Sequence, residues 1–599
     1  MNALSLENDR DHEDQGPAFA PARSFRGRTW LLPTIDRDRV KGLIEVNVPA
    51  AVAPVLAARG FDADDARNYL EPSLRNLLPN PSSFVDMDKA VDRLVRAVRE
   101  EERIAIWGDY DVDGATSAAV LARFLAMLGI TASIHIPDRI EEGYGPNVEG
   151  FERLRREGHS LVCVLDSGTV AFEPIARAAG IGLDVIVIDH HAAEQAVPAA
   201  VAVVNPNRLD QAPGYGHICA AGMTFLFCVG VNAALRDTGW YRETGQVAEL
   251  MSLLDLVALG TVADVVPLTG INRAFVRRGL EVMNTRRNPG LATLAKVADL
   301  HEEVAAHHCG FVLGPRINAG GRVGAADAGA RLLSSEDPVE CQDLAEQLNA
   351  WNAERRELEK LCTEEAMAQI EAAGGAGPIA FALSACWHPG VIGIAASRLK
   401  EAYDRPAFVF AAGGEQAVGS GRGVRGFDLG AAIMAARREG ILVKGGGHAM
   451  AGGATVELSH YADFIAFMNE QLASSEFART GVQSQVDMLL PVERVSVGLI
   501  DALVAMEPYG QGNSRPRFVI TGAQLVRADL LKEAHLRIEL GGAGSRRLKG
   551  IAFNVAGSPL CDGLLASVGR KIDVLGTLDV NEWNGSRSAQ ILLDDARLA

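Results

Sequence analysis

The sequence predicts an α/β protein of several domains: a parallel-sheet domain, a long connecting helix, a second α/β domain and a small β-barrel at the C-terminus. Three observations predict it. Short β-rich runs recur with helical stretches between them from about residue 100 to residue 210, helix formers continue unbroken from about 340 to 375, and only short strands and turns remain after about 483. At 599 residues the chain exceeds the size of one hydrophobic core, and 48% apolar residues are ample to fill several.

Residues 1–35, opening with "MNALSLENDRDHEDQGPAFAPARSF", are polar, charged and Pro-containing, and read as a disordered tail without the apolar core of a signal peptide. Residues 36–95 read as an N-terminal helical segment. No run reaches transmembrane length. The eight cysteines are scattered, with no C-x-x-C pair, which argues against a zinc site or a disulfide framework and suits the reducing cytoplasm. A formal net charge of -18 lowers the expectation of nucleic-acid binding. It does not exclude it, because a local basic groove can coexist with an acidic total.

From 96 to 339, the runs "RIAIW", "TASIHIP", "LVCVLD", "DVIVID" and "AVAVVNP" form a βαβ series, which builds a mostly parallel sheet with ligands outside the carboxyl ends of its strands. "GDYDVDGATS" places Asp109, Asp111 and Asp113 after the first of these strands. An EF-hand calcium loop begins with the same spacing, but it needs a glutamate near the twelfth position, where this chain has Val120, and it lies between two helices. Asp166 ends the "LVCVL" strand, Asp189, His190 and His191 end "VIVI", and Asp264 follows the buried helix of "LLDLVALGTVADVVPL". Taken singly, each is also consistent with an acidic strand end exposed to water. Together they would converge on one sheet edge and repel one another unless cations neutralise them. Asp and His sets suit Mn²⁺ or Mg²⁺, and two such ions about 3.5–4 Å apart serve in-line displacement at phosphorus.

The connecting helix spans 340–375, with Leu344, Leu348, Trp351, Leu358 and Leu361 as a packing stripe. From 376 to 482 strands alternate with Gly clusters, and Arg398, Ser420, Arg422 and His448 are candidate phosphate partners. No segment fits G-x-x-x-x-G-K-[ST], and the glycines would equally serve tight turns. From 483 to 599 the strands fit a five-stranded barrel of the OB type. Arg537, Arg546, Arg547, Lys549 and Trp583 would supply either a single-strand groove or an ordinary solvated face.

Taken together, "GDYDVDGATSA", "PDRIEEGYG", "LDSG", "VIDHH", "GTVADVVPL", "LGPRINAGGR", "WHPGVIGIAASRL", "GSGRGVRGFDL", "GGGHAMAGG" and "EPYGQGNSRPRF" resemble the DHH phosphoesterase superfamily. Within it the order of motifs is similar to the RecJ family of bacterial single-stranded-DNA-specific exonucleases, from about residue 70 to the end. The resemblance implies a DHH domain over 96–339, a DHHA1 domain over 376–482 and an OB-fold over 483–599. It implies that Asp111 and Asp113 bind two Mn²⁺ or Mg²⁺ ions, that Asp166 bridges them, and that His190 and Asp264 complete the second ion's set. Asp109 would bind through water or orient a ligand, and Asp189 and His191 would hold the loop or touch the scissile phosphate. Arg139, Ser420 and Arg422 correspond to a pocket for a 5′-terminal phosphate, with Tyr144 stacking on the terminal base. Arg316, Asn318, Arg322, Arg398 and His448 would grip phosphates near the cut. For "GPRINAGGR" the residues alone allow a plain turn whose arginines pair with local carboxylates.

The implied activity is 5′-to-3′ hydrolysis of single-stranded DNA to 5′-mononucleotides in repair and recombination, by a cytoplasmic monomer working with a single-strand-binding protein and a helicase. A phosphodiesterase of short oligonucleotides or cyclic dinucleotides shares the catalytic motifs, and a DNA-binding scaffold without chemistry is the remaining alternative. Two features depart from the shared pattern: Trp107, where many relatives carry a small residue or His, and the polar tail before Phe25.

Overall fold

The computed structural model describes residues 23–138, 142–143, 145–583 and 585–599, the side chain of Trp583 excepted. The chain divides into two units, one formed by 72–360 with 508–514, the other by the residues up to 71 with 361–507 and 515–599. The expected helical segment 36–95 is therefore split: its part beyond residue 71 belongs to the first of these units. A short strand, β1 (Thr29–Leu31), lies within the segment expected to be a tail, while residues 1–22 lie outside the described residues.

In the unit of 72–360, five strands make one parallel sheet: β2 (Ile104–Trp107), β3 (Ser133–His135), β4 (Leu161–Leu165), β5 (Asp184–Ile188) and β6 (Ala202–Val204), in the order β3-β2-β4-β5-β6. Every residue of β2 and β4 is buried, which is why both read as unbroken apolar runs. Successive residues serve opposite cores. Ile104, Ile106, Leu161, Cys163, Leu165, Ile186 and Ile188 face the cluster that holds the helices Met87–Arg99, Val112–Met127, Ala220–Asp237 and Leu254–Ala263. Ala105, Trp107, Val162, Val164, Val185 and Val187 face Phe151, Leu154, Ile175 and Ala178 of the helices Val148–Arg156 and Phe172–Gly180. The strand order reverses between β2 and β4, and that switch point opens a crevice at their carboxyl ends.

In the other unit, β7 (Ala380–Ser384), β8 (Ala407–Gly413), β9 (Gln416–Arg422), β10 (Lys444–His448) and β11 (Ala451–Glu457) form a sheet of order β10-β11-β9-β8-β7, in which only β7 and β8 run parallel. The first two glycines of "VGSGRG", Gly419 and Gly421, sit inside β9 rather than in turns, and Gly423 follows its end. A Cβ on Gly419 or Gly421 would lie 2.2 or 2.4 Å from the ring of Phe410 or Phe408, so their bareness makes room for the aromatic core. β12 (Gln483–Gln485) pairs in parallel with β1. The barrel follows: β14 (Arg517–Leu531), β15 (His535–Gly541), β16 (Arg547–Ala552), β17 (Lys571–Trp583) and β18 (Ser586–Leu598). It closes through β14 and β17, and β13 (Met488–Leu490) adds a parallel partner to β14.

The connecting helix runs over Pro338–Ala372. Its expected stripe holds only in the first half, where Leu344 and Leu348 are buried, whereas Leu361 is 55% exposed. Beyond it Cys362, Ala366 and Ile370 are buried instead. At about 100° per residue, Leu344, Leu348, Cys362, Ala366 and Ile370 share one face of the helix, and Leu361 lies about 100° off it, which is why it is exposed.

The helix Leu254–Ala263 is buried over its first eight residues and packs against Gly270–Asn284 at a point where a Cβ on Gly279 would lie 2.1 Å from the Leu254 carbonyl oxygen. Gly279→Ala is expected to force the helices apart and cost about 1–3 kcal/mol in urea unfolding, and an unchanged midpoint would contradict this packing.

Candidate metal centre

The loop that leaves β2 folds back on itself because Asp111 caps the helix Val112–Met127, its Oδ1 accepting from the Asp113 and Gly114 amides at 2.9 and 3.1 Å. The turn is tight enough that a Cβ on Gly114 would lie 2.5 Å from the Asp109 backbone. Asp113, 1% exposed, accepts from the amides of Ala220 and Ala221 at 2.6 and 2.9 Å, so the positive end of the helix Ala220–Asp237 points at its carboxylate. Gly260 lets the helix Leu254–Ala263 approach the same group: a Cβ there would lie 2.9 Å from Asp113 Oδ1.

Asp166 follows β4 in the left-handed region, with φ 61°, and is buried. Asp189 ends β5, and its two oxygens accept from the amides of Thr169 (3.0 Å), His190 (2.7 Å) and His191 (3.1 Å) and from His191 Nδ1 (2.8 Å). Asp189 is thereby committed to shaping the loop. His190 Nε2 lies 3.3 Å from Asp166 Oδ1 and 3.7 Å from both Asp113 Oδ2 and Asp264 Oδ2. Three groups could each hold a cation, with ligand atoms within 4.8 Å of one another: Asp109, Asp111 and Asp166; Asp113, His190 and Asp264; Asp166, His190 and His191. They share members, as adjacent sites would.

Asp109, Asp113, Asp166 and Asp189 are each less than 5% exposed, so these are not solvated strand ends. Burial raises the proton affinity of Asp113, and Asp111 adds to it against the opposing pull of His190. Burial and the carboxylates of Asp113, Asp111, Asp109 and Asp264 hold Asp166 well above the usual range, and burial with Asp113 and Asp111 pushes Asp264 up to about 9. Asp189 behaves oppositely: its burial is outweighed by the hydrogen bonds from His191 and Thr169, which hold it far below the ordinary value. His191 is raised in turn, because the bond to Asp189 and the nearby carboxylates outweigh its burial. The donor set fits divalent cations. It is oxygen-rich with imidazole, short of positive charge, and includes a buried Asp264 Oδ2 that accepts no hydrogen bond from the described residues.

"GPRINAGGR" is a helix, Gly314–Val323, not a turn, and among the described residues no carboxylate pairs with Arg316. Its Nε donates to Asn349 Oδ1 at 3.0 Å and its Nη1 to the Val312 carbonyl at 2.7 Å, while burial and the charges of Arg356 and Arg355 lower its proton affinity. Asn318 and Arg322 are half-buried on the same helix, and Gly321 brings it against the Tyr110 carbonyl, where a Cβ would lie 2.7 Å away. In the other unit Arg422 donates to Ser397 Oγ (3.1 Å), Ser420 Oγ (3.0 Å) and the Gly421 carbonyl (2.9 Å), and burial alone lowers its proton affinity. Arg398 is exposed with Glu401 at 3.4 Å, and His448 is exposed, its Nδ1 accepting from the Met450 amide at 3.4 Å. Arg139 and Tyr144 lie outside the described residues.

Two exposed apolar side chains, one beside Asp264 and one on a turn that packs against the helix Leu254–Ala263, escape sequence reasoning. Val265, next to Asp264, is 64% exposed and held at φ 59°, a conformation that costs a β-branched residue about 1–3 kcal/mol. Phe311 is 82% exposed on a π-helical turn, Cys309–Leu313, whose Gly310 would place a Cβ 3.5 Å from Val262. Nothing in either local sequence signals strain or exposure. The segment 508–514 is a further surprise: Gln511 accepts from the Leu268 amide at 2.8 Å and Pro508 from Arg273 Nη1 at 3.2 Å, so residues far along the chain brace the turn that follows Asp264.

Family models match the N-terminal domain of the DHH family at residues 103–261, the DHHA1 domain at 376–474 and the RecJ OB domain at 486–595. The single-stranded-DNA-specific exonuclease RecJ of Bacillus subtilis (strain 168) is 32% identical over 585 residues, covering 95% of this chain and 71% of that protein. The crystal structure of RecJ from Thermus thermophilus in complex with Mn²⁺ superposes with a TM-score of 0.76 at 28% identity, covering 95% of this chain and 79% of that one. Its complex with Mg²⁺ gives 0.72 at 27%, covering 95% and 78%.

Raised carboxylate affinities mean that the folded, metal-free protein binds more protons than the unfolded chain between about pH 4 and the Asp264 value of about 9. Stability in chelator is therefore expected to fall as pH rises through that window. Added Mn²⁺ should remove the slope and Asp264→Asn should flatten it, as read from thermal midpoints; a midpoint that climbs with pH in chelator would refute the sign.

Proposed function

The chain belongs to the RecJ family of the DHH superfamily, and from that premise we propose that it is a metal-dependent exonuclease removing 5′-mononucleotides from single-stranded DNA. The observation that carries the reading is the buried cluster of carboxylates and His190, deficient in positive charge, in the same unit as Arg316, a desolvated arginine that no described carboxylate neutralises. Such a cluster asks for cations, and such an arginine asks for phosphate.

In this reading Asp111, Asp113, Asp166, His190 and Asp264 hold two Mn²⁺ or Mg²⁺ ions. Bound there, the ions would lower the pKa of an attacking water and offset charge on the phosphoryl oxygens. Asp109 orients the ligand set. Asp189 fixes the His191 ring through Nδ1 and favours its protonated form, in which Nε2–H is a donor toward the scissile phosphate. Arg316, Asn318 and Arg322 draw the phosphates into line, so that the water attacks opposite the leaving 3′-oxygen and the terminal nucleotide departs. Val265 and Phe311 offer an apolar wall to its base.

For polarity this reading assigns Ser420, Arg422 and Arg139 to the 5′-phosphate, Tyr144 to the first base, and Arg398 and His448 to adjoining phosphates. The C-terminal barrel supports a long single strand over a dinucleotide as substrate. Repair and recombination, a cytoplasmic setting, a monomeric state and cooperation with a single-strand-binding protein and a helicase complete the proposal. No described helix is long and apolar enough to cross a membrane.

The test is a time course on internally labelled, 5′-phosphorylated single strands in Mn²⁺, Mg²⁺ and chelator, beside duplex and dinucleotides. Mononucleotides should leave the 5′ end of the long strand only with metal, and Asp113→Ala or His190→Ala should slow release about a thousandfold. Turnover confined to dinucleotides would shift the assignment to a small-substrate phosphodiesterase, and binding without cleavage to a scaffold. Arg422→Ala is expected to lose about tenfold or more of the preference for a phosphorylated over a hydroxyl end. Phe311→Ala should cost about tenfold in kcat/KM on normal strands and almost nothing on a strand whose terminal nucleotide is abasic. Equal losses on both would remove the base contact.

A further inference from the structure

A cavity of about 740 Å³ lies within the unit that carries the barrel, lined by residues of the N-terminal segment, the DHHA1 region and the barrel. Most of its charges cancel in place. Arg28 grips Asp404 with two bonds of 2.9 and 2.7 Å, Arg517 holds Asp594 at 2.9 Å, and Glu401 is met by Arg398 at 3.4 Å. Three lining cations remain, Arg26, Lys400 and Arg425, against one remaining carboxylate, Glu476. Among the described residues none of the three side chains has a hydrogen bond or an ion pair, and Arg26 Nε is buried with no acceptor. A local cation excess of this kind runs against a chain of net charge -18.

Arg26 is held there by its backbone. The amide of Phe25 donates to the Ala596 carbonyl at 2.7 Å and that of Arg26 to Asp595 Oδ1 at 3.3 Å, and the Phe25 ring covers Gly563 so closely that a Cβ would lie 2.6 Å from it. The guanidinium is thus presented without a partner among the described residues. The same cavity exposes flat and polarizable apolar surface, with Phe553 56% and Met450 46% exposed. Unpaired cations beside an exposed aromatic face suit a ligand that joins a phosphate to a planar base.

We propose that this cavity is a nucleotide site, taking a phosphate on Arg26, Lys400 and Arg425 and the attached base against Phe553 and Met450. The phosphate and base belong either to a free nucleotide or to one unit of a single strand, and the two sources separate by experiment. The full-length wild type, the Arg26→Ala/Lys400→Ala double variant and Arg425→Glu are compared in chelator. The probes are a fluorescent deoxyadenosine monophosphate and oligothymidylates of increasing length, each at several salt concentrations.

If the site takes a strand, the double variant should bind long oligothymidylate about tenfold more weakly, with its salt dependence reduced by about 1.4 in slope for two lost contacts. If it takes a free nucleotide, binding of the monophosphate should be lost while strand affinity stays. Arg425→Glu should move in the same direction as the double variant. Unchanged binding of both probes to both variants would overturn the proposal. Hydrolysis of a phosphorylated dinucleotide in Mn²⁺, expected to match the wild type, reports that the variants are folded. Binding in chelator does not depend on cleavage, so failure here is distinguishable from failure of the exonuclease reading.

Discussion

Mutual repulsion among buried carboxylates is the constraint around which the sheet domain is arranged. Asp109, Asp113 and Asp166 are almost wholly buried, with Asp111 and Asp264 beside them, and the crowding of charge adds to burial in raising the proton affinity of Asp113, Asp166 and Asp264. A fold that concentrates like charge in this way needs fixed dipoles to hold each group. The helix Val112–Met127 supplies amides to Asp111, and Ala220–Asp237 supplies them to Asp113. What those dipoles leave uncompensated is the charge that divalent cations supply. Asp189 shows the contrast: satisfied by three amides and an imidazole, it has no capacity left for an ion and serves as the anchor of His190 and His191.

Much of this was legible because the physics that made it is local. Strands buried on both faces must be apolar at every position, so β2, β4 and β5 were visible as runs, and the carboxyl-end rule then located Asp109 to Asp113, Asp166 and the Asp-His-His triplet. Asp264 was legible as the first polar residue after an apolar helix. Sequence order, however, says nothing about which distant segment covers which. The pairing of β1 with β12 lies inside what looked like a tail, and the bracing of Leu268 by Gln511 links residues that no local pattern connects. The left-handed Val265, the exposed Phe311 and the half-burial of Arg316 and Arg422 with no carboxylate partner among the described residues are likewise products of tertiary packing.

Glycine was the least legible residue. In "VGSGRG" it suggested turns, but Gly419 and Gly421 lie within β9 beneath Phe410 and Phe408. The same substitution of space for side chain recurs at Gly260 and Gly321, where helices reach the Asp113 carboxylate and the Tyr110 carbonyl. A glycine-rich sequence thus specified close approach of secondary-structure elements rather than loose chain, a distinction that only the packing partner can make.

Trp107, the departure from the family pattern, is absorbed by that device. Its ring is fully buried on the sheet face opposite the Ile104 and Ile106 core, meeting Phe151 at 5.4 Å and His135 at 4.2 Å between ring centres. It fits only because residue 150 is glycine, whose Cβ would otherwise lie 2.3 Å from the indole. Gly150 also donates to Asn147 Oδ1 at 2.7 Å, the cap that starts the helix Val148–Arg156. Arg153 of that helix reaches the same His135 ring at 3.0 Å, and Glu142 meets it at 3.2 Å. A large side chain beneath the sheet therefore fixes both the start of this helix and the ring that joins it to β3. Residue 107 supplies no ligand in any of the three candidate cation groups, and its packing instead sets where the loop between β3 and that helix ends.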